Sequence, residues 1–226
     1  MKPIPAITAL AALVTASSAL AFNQDELDGL LETNECFGCD LTGADLAGAQ
    51  LADNYLVYTN FTGADLTGAD LSDGFMGLTI MTDADFTAAN LQRANLGGAD
   101  LRGAVFQQAD LTEATLSDVS ASNADFSGGT LAGANLRSAN LRAASMTGVD
   151  LSGADLTSAL LSGAALGEAN LEGATLVNAG LGDADLTDAN LSGANLESAD
   201  LDGAVLVDAV FCGTTMPDGT VNDDGC

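Results

Sequence analysis

One slot constrains this chain more than any other. From position 41 to position 211 every fifth residue is apolar: 35 positions holding 26 Leu, five Phe, three Met and one Ala. Two residues earlier, 27 of 35 positions are Ala. The unit reads Ala-(Asp/Asn)-Leu-x-x, as in Ala44-Asp45-Leu46 and Ala194-Asn195-Leu196. A helix advances about 100° per residue, so a step of five rotates the Leu by about 140° and no apolar face forms. A straight strand alternates faces at each residue, so an odd period would swing Leu in and out. The period does suit a short extended segment, in which Leu and the Ala before it share a face, followed by one turn per unit. Four such sides close a square coil of 20 residues. Ala fits the narrow interior, Leu fills it, and the Gly, Ser and Thr of the x positions suit turns. Phe86, Phe106 and Phe126 are spaced by 20, with Met146 continuing the series, as one stacked column requires. Ala121, in a Leu slot, predicts a locally thinner core.

These units, unbroken across residues 39–211, resemble the pentapeptide repeat family. The resemblance implies an all-β fold, a right-handed quadrilateral parallel β-helix. At about 4.8 Å per coil, it would have about nine coils and a length of ~42 Å. The expected organisation is a signal peptide over 1–21, an N-terminal cap with a short helix over 22–38, the β-helix over 39–211, and a disulfide-closed C-terminal cap over 212–226. The signal peptide rests on Lys2, the apolar run of residues 6–20 and the small-x-small site Ala19-Leu20-Ala21. It points to export, to a periplasmic or extracellular location, without membrane insertion.

A solenoid exposes its core at both ends unless capped. Residues 23–34 read as the N-terminal cap: Asn23 can cap a helix, Asp25 and Glu26 suit its first turn, and Leu27, Leu30 and Leu31 make an apolar face. Residues 212–226, with Met216-Pro217-Asp218-Gly219, read as a turn-rich tail folded over the last coil. Four cysteines allow three pairings. Ends ~40 Å apart leave only Cys36–Cys39 and Cys212–Cys226, because a disulfide joins Cα atoms at most about 7 Å apart. Each would staple a cap. A redox role for Cys36-Phe37-Gly38-Cys39 lacks a thioredoxin-like context, and a zinc site lacks histidine. The Cys-x-x-Cys opening and the Thr-Thr-Met-Pro-Asp-Gly ending look like those of exported members of the family.

The composition is poor in catalytic groups. The chain has no His, and its one lysine lies in the signal segment. Ser–His–Asp and Cys–His chemistry is therefore excluded, no phosphate-cradling motif is present, and no cofactor is expected. The acids spread evenly over convex sides, which reads as a solvated face, so the expectation is a protein that is not an enzyme. Asp45, Asp65 and Asp85 fall in one column and are weak candidates for holding a divalent cation. The fragment Asn222-Asp223-Asp224-Gly225 adds little to that. The four arginines, Arg93, Arg102, Arg137 and Arg142, are expected to pair with neighbouring carboxylates.

The 20-residue coil also maps the outside. Tyr55 and Tyr58 occupy outward slots, Phe75 and Leu78 lie directly beneath them, and Val57 and Ile80 are adjacent. Such an apolar patch marks a contact site or the seat of a covering segment. The leading function is a non-enzymatic secreted or periplasmic scaffold or protein-interaction module. One alternative is an acidic DNA mimic acting on a DNA-binding protein, as the resemblance implies for members that bind gyrase. Residues 39–215 carry 24 acids and four arginines, a net −20. Over ~42 Å that is about one charge per 2 Å, against about 1.7 Å in B-DNA. Export would remove the chain from cytoplasmic gyrase. A second alternative is a divalent-cation-binding surface protein. Nucleic acid is excluded as a partner by charge; an unknown protein partner, or a homodimer through an end or the patch, stays open.

Overall fold

The computed structural model describes residues 22–226, so the signal segment lies outside the described residues. The five-residue unit folds into one side of a four-sided coil. Each unit places its Asp/Asn-slot residue in a bridge, buries the following Leu, and turns through its two x residues. Parallel bridges join residues 20 apart along the length, from Glu35 with Tyr55 to Asn195 with Thr215. The sides are too short for conventional strands, so the sheets are ladders of single bridges rather than continuous strands. A fixed pattern links the coils: Leu66 N–H donates to Asp85 O (2.7 Å), Gly68 N–H to Thr87 O (2.8 Å), and Asp85 N–H to Ala64 O (2.9 Å).

The core is the stack of Leu and Ala slots, fully enclosed through most of the solenoid. Phe86 and Phe106 stack with centroids 4.7 Å apart, and Phe106 and Phe126 follow at 5.0 Å. Ala121 is fully buried between its column neighbours Leu101 and Leu141. The second x residue takes a positive φ in unit after unit, a conformation in which a Cβ costs about 1–2 kcal/mol. Gly fills 16 of these positions, and small or polar residues fill nearly all the rest.

Helix α1 spans Gln24–Thr33. Asn23 caps it, its side chain accepting from Asp25 N–H at 3.1 Å, and left-handed Asn34 closes it. Leu27 and Leu30 are buried against the first coil. Leu31, expected on the same face, is instead 49% exposed, because only the 27/30 edge of the helix meets the coil. Glu26 carboxylate accepts from Asp40 N–H at 2.7 Å, occupying a group at the solenoid's free edge. The C-terminal tail forms a hairpin of β1 (Thr214–Thr215) and β2 (Val221–Asn222), paired antiparallel. Disulfides join Cys36 to Cys39 and Cys212 to Cys226, with Cα atoms 5.6 and 4.8 Å apart.

Candidate functional site

The columns bring the expected apolar residues together and add one. Tyr55 bridges Phe75 below it and Glu35 above it. Phe37, between the first two cysteines, lies one coil above Val57, and Gly38 N–H donates to Val57 O at 3.0 Å. Its ring stacks on Tyr55 at 6.4 Å and meets Tyr58 edge-on at 5.4 Å. Phe37, Tyr55, Tyr58, Phe75, Leu78 and Ile80 form one apolar patch over three coils, each between 43% and 64% exposed. Extending the 20-residue spacing one coil upstream was the signal that would have found Phe37.

The patch is held at a cost. Tyr58 (φ 63°) and Leu78 (φ 58°) sit in the left-handed x position, where no other bulky apolar side chain is found among the described residues. Leu78 also leans over Gly98, where any Cβ would come within 2.8 Å of its Cδ2. The core beneath departs from the repeat in the same coils. Asn54, Thr59, Gly74 and Thr79 stand where Ala is usual. Asn54 Nδ2 donates to Leu51 O and Thr79 Oγ1 to Met76 O, both at 2.7 Å. Thr59 Oγ1 donates to Cys36 O, tying the patch to the first disulfide. Asn54 Oδ1 is buried without a partner.

The acidic surface is organised turn by turn. Asp45, Asp65 and Asp85 bridge in one column, but each Oδ1 accepts from its own backbone two residues on, at 3.2, 2.9 and 2.8 Å. Among the described residues, no three His, Cys, Asp or Glu side chains are grouped so as to hold a metal. Three arginines pair as expected: Arg93 with Asp73 (2.6 Å), Arg102 with Asp100 (2.6 Å) and Arg137 with Asp155 (3.0 Å). Arg142 instead donates to the amide oxygen of Asn140 at 3.3 Å, because Asn stands two residues before it where Arg102 has Asp100. The Arg93 and Arg102 guanidinium groups hold the carboxyls of Asp73 and Asp100 below the usual range. At Asp110 and Asp125 burial pushes upward, but hydrogen bonds from Thr112 and Gln92, and from Ser127 and Gln107, bring both below it.

A four-sided parallel ladder of five-residue units, with an exposed aromatic patch among the described residues, defines a solenoid repeat protein. The pentapeptide repeat family model matches in eight copies across residues 35–73, 79–118, 122–157, 154–193 and 189–218, and the chain belongs to that family. Its members form right-handed quadrilateral β-helices. Among solved structures, the chain is similar to HetL, a pentapeptide repeat protein involved in heterocyst differentiation regulation from the cyanobacterium Nostoc sp. strain PCC 7120. That match has 36% identity and a TM-score of 0.62, and covers 83% of this chain and 89% of HetL. It is also similar to QnrB1, a plasmid-mediated fluoroquinolone resistance protein, at 25% identity and TM-score 0.45 over 80% of this chain and 88% of QnrB1. No curated protein matches the sequence.

Proposed function

We propose that this chain is an exported, non-enzymatic scaffold that docks a protein partner on the patch of Phe37, Tyr55, Tyr58, Phe75, Leu78 and Ile80. The observation that carries this reading is the placement of two bulky apolar side chains at strained, outward positions that the repeat elsewhere gives to small or polar residues. Folding gains little from them there, and exposed aromatic clusters are the usual anchors of protein interfaces. The leader over 1–21 and the two disulfides fit an oxidising compartment outside the cytoplasm. In this reading α1 seals one end of a solenoid of about nine coils, ~42 Å long.

The DNA-mimic alternative rests on charge density. In one column amides interrupt the acids: Asn90 Nδ2 donates to Asp70 Oδ1 at 2.9 Å, and Asn170 Nδ2 to Asp150 Oδ1 at 3.0 Å. That column breaks its charge with neutral donors, unlike a phosphate backbone.

The test is a photo-crosslinking residue placed at Val57, inside the patch, or at Thr157, in the same column five coils away. A discrete adduct from position 57 and none from 157, in extracts of the compartment to which the chain is exported, is the expected result. Equal labelling from both positions overturns the reading.

A further inference from the structure

The two ends of the solenoid are finished unequally. At the first coil, under α1, Leu41, Leu46 and Leu51 are at most 2% exposed. At the last coil the tail covers only two sides: Leu196 N–H donates to Thr215 O and Ser198 N–H to Pro217 O, but among the described residues nothing follows over residues 199–209. One coil earlier the equivalent groups are all paired. Leu181 N–H donates to Asp200 O (2.8 Å), Asp183 N–H to Asp202 O (2.9 Å), Leu186 N–H to Val205 O (2.8 Å) and Asp188 N–H to Val207 O (2.9 Å). Among the described residues, the N–H groups of Leu201, Gly203, Leu206 and Asp208 find no backbone acceptor, and the carbonyls of Ala199 and Ala204 accept nothing. Leu201, Ala204 and Leu206 are only partly buried, and Val205 and Val207 are exposed beside them.

We propose that this open edge takes up an extended, cationic segment of a partner protein as the next rung of the ladder. An unpaired sheet edge over a half-covered core is a template for strand addition, with backbone hydrogen bonds giving affinity and alternate side chains giving specificity. The charge around the edge decides the occupant. Glu197, Asp200, Asp202, Asp208, Asp223 and Asp224 are all exposed at this end, and the last basic residue of the chain is Arg142. A second copy joined end to end would press the same carboxylates against them. A segment carrying Lys or Arg meets them with opposite charge, while its inward apolar side chains cover Leu201 and Leu206. Stacking head to tail on another copy is blocked, because α1 lies over the opposite end. The site is separate from the patch over residues 37–80 and does not depend on it.

The experiment is amide NMR of the isotopically labelled protein titrated with a ten-residue peptide of two Ala-Lys-Val-Lys-Gly units, against the same peptide with Glu for Lys. The Lys peptide is expected to shift the amides of Leu201, Gly203, Leu206 and Asp208 and to slow their hydrogen exchange about tenfold or more. Added salt should weaken it. Asp202→Lys/Asp208→Lys, at two exposed positions, should weaken binding about tenfold without lowering Tm. Three results overturn the proposal: an equal response to the Glu peptide, shifts along the acidic columns that spare those four amides, or protection of the same amides without peptide that rises with protein concentration. The last would make a second copy the occupant.

Discussion

Asn54 and Gly74 are predicted to be energetically coupled, because the 20-residue coil places one directly above the other. Gly74 has an ordinary backbone conformation, so Ala meets no φ penalty there. Its Cβ would nevertheless come within 2.8 Å of Asn54 Cγ and Oδ1, and closer still to Nδ2. Overpacking of this kind costs about 1–3 kcal/mol. Asn54→Ala removes one hydrogen bond to Leu51 O, worth about 1 kcal/mol, and opens a small void that costs about as much. It also removes the buried, unpartnered Oδ1, whose desolvation costs about 1–3 kcal/mol. The three effects nearly cancel. With Ala at both positions the pair becomes the ordinary Ala-on-Ala rung of the repeat. Gly74→Ala should therefore cost about 1–3 kcal/mol alone and close to nothing in the Asn54→Ala background, a coupling of about 1–3 kcal/mol. Urea unfolding midpoints of the four proteins measure it. An equal cost in both backgrounds would refute the stacking on which every surface assignment depends.

Three further predictions concern the tail and the acidic surface. The Cys212–Cys226 bridge closes a loop of 14 residues, worth about 3 kcal/mol. Cys212→Ser/Cys226→Ser should speed exchange of the Phe211 amide, which donates to Asp224 O, while leaving the solenoid's midpoint unchanged; a lowered global midpoint would contradict this. At Asp110, Asp125 and Asp155 burial pushes the carboxyl upward, but hydrogen bonds, joined at Asp155 by Arg137, hold each below its ordinary range. Their stabilisation is complete above the unfolded pKa of about 3.9 and is lost as pH falls through the lower folded values. Tm should therefore drop below about pH 4, and Asp110→Asn/Asp125→Asn/Asp155→Asn should flatten the drop; an unchanged profile would contradict it. Millimolar Ca²⁺ should release no heat in calorimetry, since the carboxylates of Asp45, Asp65 and Asp85 each turn toward their own backbone; a saturable isotherm would reverse that reading.

The solenoid was legible because each slot of the unit has its own steric demand. The Leu and Ala slots meet a narrow core, and the second x residue meets a left-handed turn that favours Gly. The same register exposed Tyr55, Tyr58, Phe75 and Leu78 as a patch. Phe37 is not placed by that register, because it precedes the regular repeats and sits between two cysteines. Leu31 lies exposed because helical periodicity names an apolar face but not which edge of it the first coil touches. The open edge at residues 199–209 was invisible for a tertiary reason. A turn-rich, disulfide-closed tail reads as a complete cover, and only its path over two sides of four shows otherwise.

Tyr58→Gly/Leu78→Gly tests the central claim, that the patch exists for a partner rather than for the fold. Relief of two left-handed side chains gains about 1–2 kcal/mol each. The loss of chain stiffness at Gly takes back about 0.5–1 each, and the Tyr58–Phe37 contact about 0.5–1.5. The double variant should thus melt within a few degrees of the parent, while the adduct formed from a crosslinker at Val57 falls about tenfold. An adduct that persists undiminished, alongside a Tm lowered by more than about 10 °C, would contradict the account and make the patch a structural seat instead.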